Sequence, residues 1–130
     1  MTQKRRKGVA IVETKKGILV GAIDKTFILP GGGAKRRESR KKAAIRELEE
    51  ETGLRTKSIK YLFEDYGIKW KNHKGKWIKN HSKVFLIEAE GIPKPSHEMK
   101  KIGFWKPESK INLGIGSRMI IERYLKEKES

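Results

Sequence analysis

Between Gly32 and Leu54 the chain spaces a glycine, an arginine and a set of glutamates in a way that can do chemistry. Gly32 is followed after five residues by Glu38, and after seven more by Arg46-Glu47-Leu48-Glu49-Glu50-Glu51-Thr52-Gly53-Leu54. The stretch from Ser39 to Thr52 has no internal Gly or Pro, opens on a residue that can cap and is followed by a glycine that can stop it, which predicts a helix. On that helix Glu47, Glu50 and Glu51 stand at i, i+3 and i+4 and share one face. Like charges so placed weaken a helix by about 0.2–0.5 kcal/mol per pair, so the fold alone gains nothing from them. A divalent cation reverses the sign. Mg²⁺ takes oxygen ligands, keeps several waters and is commonly held by one or two carboxylates together with substrate phosphates. The cluster therefore suggests metal-assisted attack of water on a phosphate ester or anhydride. An acidic run taken by itself would read as a solvated helix face.

The complete pattern resembles the Nudix box and matches it at each defined position, with Leu48 and Leu54 at the two hydrophobic ones. The box covers 23 of the 130 residues; the strands before it and the stretch from Glu98 to Trp105 are also similar to the MutT-like branch of that family. The resemblance implies an α/β fold, the Nudix α/β/α sandwich with a mixed sheet. It implies Glu47, Glu50 and Glu51 as ligands of Mg²⁺ or Mn²⁺, with a backbone carbonyl near Gly32 as a further ligand. It also offers Glu98 as a base or fourth ligand, against the alternative of a surface glutamate.

Other residues of the box divide by chemistry. Arg46 lies beside Glu47 and four residues before Glu50, so its planar fork can lock a carboxylate in place. Glu38 precedes the helix near its positive end, where dipole stabilisation, pairing with Arg46 and a minor metal role are all open. Glu49 projects away from the ligand face and reads as solvated. Ala43, Ala44, Ile45 and Leu48 form the packing side, and Gly53 supplies a left-handed stop. Gly31 and Gly32, in the run Pro30-Gly31-Gly32-Gly33, let the backbone approach a ligand and argue against regular structure there. The run lacks the Lys and Ser/Thr of a P-loop. Lys35, Arg36 and Arg37, followed by Arg40, Lys41 and Lys42, could guide a triphosphate or an RNA 5′ end, or could be solvated charge.

The elements that must hold these residues read as follows. Gly8 to Val12, Ile18 to Ile23 and Thr26 to Leu29 are short apolar strands. Ser58 to Tyr66 alternates with Ile59, Tyr61 and Phe63 on one side, Val84 to Ile87 is a strand covered on both faces, and Ile102 and Phe104 mark another. Ser117 caps a last helix with Ile120, Ile121, Tyr124 and Leu125 on one face. The segment from Trp70 to His81 interleaves aromatics and cations around a turn at Lys74-Gly75. It fits a base-stacking surface, or a hairpin with cross-strand Trp contacts. Gly114 to Ser117 could touch phosphate or serve as loop and cap. His73, His81 and His97 lack ligand spacing.

The length suits one domain, residues 1–130. No run approaches a membrane span, the basic start Lys4-Arg5-Arg6-Lys7 lacks a signal-type sequel, and there is no cysteine, which together lead us to expect a cytoplasmic protein with no membrane partner. The 32 Lys and Arg against 16 Asp and Glu leave a net charge of +16, which favours polyanionic partners. The expected activity is hydrolysis of a diphosphate linkage in a nucleoside diphosphate derivative. A nucleoside triphosphate, oxidised or not, giving monophosphate and pyrophosphate heads the possibilities. An RNA 5′-end pyrophosphohydrolase and a non-enzymatic nucleic-acid binder on the same scaffold are the rivals, and the intact carboxylate set argues against the binder.

Overall fold

A computed structural model describes residues 1–129. In chain order its elements are β1 (Gln3–Ile11), β2 (Glu13–Thr14), β3 (Gly17–Ala22), β4 (Phe27–Ile28), β5 (Gly31–Gly33), α1 (Arg40–Thr52), β6 (Arg55–Tyr66), β7 (Trp70–Lys71), β8 (Trp77–Glu90), β9 (Lys101–Trp105) and α2 (Ile115–Lys128). One sheet runs β5-β1-β8-β6 with β7 added to β8; β1 and β8 are parallel and the other pairs antiparallel, so the sheet is mixed. The second, antiparallel sheet is β2-β3-β4 with β9 on the other side of β3.

Alternation along the strands sends side chains into two cores. Val9, Ile11, Val20, Val84 and Phe63 meet Ile120, Ile121 and Tyr124 of α2, while Ala10, Val12, Leu19, Phe85 and Ile87 meet Ala44 and Leu48 of α1. The two helices thus cover opposite sides, which gives the expected layered α/β architecture. The fully buried β3 sits between the layers. Among the described residues no helix is long and apolar enough to cross a membrane.

Several local expectations are corrected. β1 starts at Gln3, because the cationic residues before Gly8 are carried by the parallel ladder with β8 and need no buried side chains. Val84 to Ile87 is the covered centre of a much longer strand. Ile59, Tyr61 and Phe63 do not share a side: a register shift between Tyr61 and Phe63 leaves Tyr61 edge-on to Phe85 toward α1 and turns Phe63 into the α2 core. Gly31–Gly33 is regular after all, an antiparallel strand on the edge of β1. Ser117 is not a cap. Gly114 is the N-cap of α2 without a side-chain bond, and the Ser117 hydroxyl instead accepts from the Leu29 N–H at 2.9 Å, satisfying a donor that no strand partner serves.

Candidate active site

α1 forms as its sequence predicts. The Ser39 hydroxyl accepts from the Lys42 N–H, and Gly53, at φ 74°, closes the helix with its N–H on the Glu49 carbonyl. The helix lies close on β1 because Gly8 has no Cβ; one placed there would stand 2.0 Å from the Arg40 carbonyl oxygen and 2.5 Å from the Ala44 nitrogen. Its charges run against its dipole. Arg40, Lys41 and Lys42 occupy the positive end, whereas Glu49, Glu50 and Glu51 crowd the negative end. A local rule broken at both ends, with no gain to the helix, points to a functional demand.

Glu47, Glu50, Glu51 and Glu98 line one cavity of about 400 Å³, together with Gly31, Gly32 and Gly33, against whose backbone Glu47 and Glu51 rest. Arg46 organises its acidic side. Its Nε and Nη2 donate to the two Glu38 oxygens at 2.8 and 2.9 Å, Nη1 donates to Glu47 at 2.9 Å and to Glu50 at 3.4 Å, and Nη2 also reaches the Gly33 carbonyl at 3.2 Å. Of the roles open to Glu38, pairing with Arg46 is realised. Hydrogen bonds from Arg46 and from the Lys35 N–H hold the Glu38 carboxyl down at about 2, while Glu38 raises the Arg46 guanidinium. Glu49 is exposed as expected, though its carboxylate accepts from the Thr56 N–H at 3.0 Å and so ties α1 to the start of β6.

Glu51 differs from its neighbours. Burial, reinforced by the charges of Glu47 and Glu50, pushes its carboxyl up to about 7 against the opposing hydrogen bond from the Gly31 N–H at 3.0 Å. Nearby Lys7, from β1, is lowered by burial and by Arg5, partly offset by Glu51 and Glu47. Gly31, at φ 155°, adopts a backbone foreign to other residues, and a Cβ on it would meet the Gly8 carbonyl oxygen at 2.5 Å. At Gly32 a Cβ would lie 2.6 Å from the Glu47 carboxyl carbon, so only glycine lets this carboxylate rest against the backbone.

The loop carrying Glu98 is fixed to α1: the Lys94 and Ser96 N–H groups donate to the Thr52 and Glu51 carbonyls. Glu98 thereby reaches the cavity from the loop ahead of β9. Lys35, Arg36 and Arg37 do not line it. The cations that do are Arg5 and Lys7, which the sequence presented only as part of the basic run from Lys4 to Lys7. None of the three histidines forms a metal cluster, and among the described residues no group of three or more His, Asp or Glu side chains stands ready to hold an ion by itself. The arginine bonds to Glu47 and Glu50 and the Gly31 bond to Glu51 account for this, since each draws a carboxylate onto a protein donor.

A second cavity of about 360 Å³ adjoins the first, sharing Lys7, Ile28 and Gly31 with it, and is bounded by Leu29, Trp70 and Ile120. Gly114, Ile115, Gly116 and Ser117, which were open to a phosphate contact, also line it. Asp65 lines it with its carboxyl raised by burial, and so does Asn80, whose buried Oδ1 has no hydrogen-bond partner. The Trp-containing segment is a hairpin, with Asn72 Oδ1 accepting from Lys74 and Lys76 N–H at the turn. Its two tryptophans do not touch across the strands. Trp70 pairs with Ile78 and Trp77 with Lys71, so the rings face opposite sides.

The NUDIX domain family matches residues 2–123. The chain belongs to the Nudix family. Across 47 residues it is 45% identical to YtkD of Bacillus subtilis (strain 168), a proposed 8-oxo-dGTP diphosphatase; that match spans 36% of this chain and only 30% of the relative. A proposed Nudix hydrolase family member from Chromobacterium violaceum is 36% identical with a TM-score of 0.82, over 98% of this chain and 81% of that one. The MutT Nudix hydrolase of Burkholderia pseudomallei, 22% identical over 92% of this chain and 97% of its own, shares the fold at a TM-score of 0.72. The Nudix box is thus the stretch in which Arg46, Glu47, Glu50 and Glu51 meet the glycine strand.

Proposed function

We propose that residues 1–130 form a single Nudix domain that hydrolyses a nucleoside triphosphate to monophosphate and pyrophosphate with the help of Mg²⁺ or Mn²⁺. The observation that carries this reading is the pair of adjoining cavities, one walled by carboxylates and glycine backbone, the other largely apolar with a few buried polar groups. The donor set suits a hard cation: Glu47, Glu50 and Glu51 offer oxygen only, and Gly32 gives Glu47 the room to sit against the backbone. A closed cage of protein ligands is not required of Mg²⁺, which completes its shell with water and substrate phosphate. Such an ion, when bound, would lower the pKa of the attacking water and offset charge on the phosphates.

The chain's own residues do the rest. Arg46 orients Glu47 and Glu50, Lys7 and Arg5 face the phosphate chain, and Glu98 takes the proton from the attacking water. The base occupies the second cavity, where Asn80 Oδ1 has an open acceptor for a ring N–H and Trp70 offers an apolar wall. The likeness to YtkD makes an oxidised purine triphosphate the first substrate to try, and a chain without cysteine is in keeping with work in the cytoplasm. The test is a panel of nucleotides incubated with Mg²⁺ and with Mn²⁺ and resolved by product. Monophosphate plus pyrophosphate is expected, whereas diphosphate plus phosphate, or full turnover in excess chelator, would overturn the reading.

A further inference from the structure

The α1 side of the mixed sheet extends beyond the helix that covers it. Phe85 and Ile87 of β8 pack under α1, so the same face carries Lys83, His81, Lys79 and Trp77 as the strand continues away from the helix. The neighbouring strands add to that face in register: Arg6 and Lys4 of β1 lie beside His81 and Lys79, and Tyr66 of β6 lies opposite His81. The groups alternate as cation and ring. Lys83 Nζ stands 5.7 Å from the Tyr61 ring, Lys79 Nζ 6.0 Å from Tyr66, and Lys71 Nζ 5.7 Å from Trp77. Tyr66 stacks on His81 with centroids 4.3 Å apart and planes 16° from parallel. These are large exposed rings, two of them on the terminal strand β6, with Tyr61 at 50%, Tyr66 at 54% and Trp77 at 47% of full accessibility.

Glu64 is the acid of this face, and it is already engaged by His81 at 2.7 Å and by Arg40 at 3.7 Å. The remaining balance is cationic, which matches a polyanion. The rings match bases, since every base has a face on which an aromatic can stack. A duplex keeps its bases inside its own stack and could use only the charges. We infer that this sheet face binds single-stranded RNA, with phosphates on Lys4, Arg6, Lys79 and Lys83 and bases on Tyr61, Tyr66 and Trp77. RNA is chosen over DNA because each Glu64 oxygen keeps a lone pair beyond the one turned to His81 or Arg40, an acceptor for a ribose 2′-hydroxyl. The surface is separate from the cavities, so the inference stands whether or not the chain hydrolyses nucleotides.

The test is fluorescence anisotropy with a labelled 5′-hydroxyl oligoribonucleotide of about twelve nucleotides, a length within the usual range for single-strand sites. Having no terminal phosphate, it gives the hydrolytic site nothing to cut or hold. The Tyr61→Ala and Tyr66→Ala changes should each weaken binding about tenfold, while Tyr61→Phe and Tyr66→Phe keep it, which separates stacking from loss of fold. Lys79→Gln with Lys83→Gln should lessen the slope of log affinity on log salt by about 0.7 for each contact removed. Glu51→Gln should bind as the parent does, although it would abolish hydrolysis. Equal affinity for duplex RNA or for single-stranded DNA, or indifference to the tyrosine changes, would overturn the inference.

Discussion

The C-terminal half of α1 and the exposed end of the mixed sheet collect charge in opposite ways. On α1 three like charges are forced together by helical spacing, two of them restrained by Arg46 and the third, Glu51, by the Gly31 N–H, so the molecule holds an arrangement that its own electrostatics disfavour. On the sheet the cations are spread at strand spacing, and Lys71, Lys79 and Lys83 each rest against a ring, an arrangement that is stable as it stands. Unfavourable crowding asks for a ligand that relieves it; comfortable spacing allows a partner without requiring one.

The largest effect should come from removing the crowding. Glu50→Gln or Glu51→Gln keeps the shape and loses the charge, and nucleotide turnover should fall by orders of magnitude with an unchanged circular dichroism spectrum. Glu49→Gln should do little, because glutamine still offers an oxygen to the Thr56 N–H. Equal losses at all three positions would erase the distinction between the ligand face and the rest of the helix.

Next in size is the glycine wall. Gly32→Ala drives a methyl into the Glu47 carboxylate, which Arg46 holds in place, and should lower kcat about 100-fold, as displacements near 1 Å do, while the protein stays folded. Arg46→Lys keeps a cation but loses the fork that serves Glu38, Glu47 and Glu50 together; a drop of about tenfold in kcat/KM is expected. Turnover untouched by either change would leave the carboxylates without a need for fixed positions.

The part of this pattern that could be read from the sequence is the part encoded locally. Ser39, Gly53 and the i, i+3, i+4 glutamates are close in the chain, and each forms the element its spacing predicts. What escaped was assembled across long separations. The pairing of Arg6 with His81, the turn of Phe63 into the other core and the edge strand at Gly31–Gly33 all depend on register, which no short window contains. Lys35 to Arg37 drew attention as a run of charge, yet the cavity takes Arg5 and Lys7 from a strand whose alternation was hidden by five consecutive polar residues, Gln3 to Lys7. Asn80 and Asp65 gave no sign because their significance lies in a cavity that α2 completes from the far end of the chain.

Stability offers a smaller test of the same crowding. The Glu51 carboxyl is raised above its unfolded value, so the folded metal-free protein binds the proton more tightly than the unfolded chain does. Its contribution is fully present below about pH 4.5 and is lost as pH rises through about 7. Glu51→Gln should therefore melt a few degrees above the parent at pH 8, about 1–2 kcal/mol after allowance for solvent screening, and the gain should vanish at pH 4. A variant no more stable than the parent at either pH value would show that Glu51 is not under strain. Smallest of all, neutralising Lys35, Arg36, Arg37, Lys41 and Lys42 together should change kcat/KM only a few-fold at low salt and leave it unaltered at physiological salt, as remote steering does. A loss that persists at high salt would put these cations in contact with the substrate.

The measurement closest to the central claim is a calorimetric titration of Mn²⁺ into the protein in the presence of a non-hydrolysable nucleoside triphosphate. The parent and Glu49→Gln should take up the ion with the same affinity, and the triple change of Glu47, Glu50 and Glu51 to Gln should take up none beyond what the nucleotide binds alone. Undiminished uptake by the triple variant would contradict the account, because the three carboxylates would then be crowded on α1 for some purpose other than holding a metal.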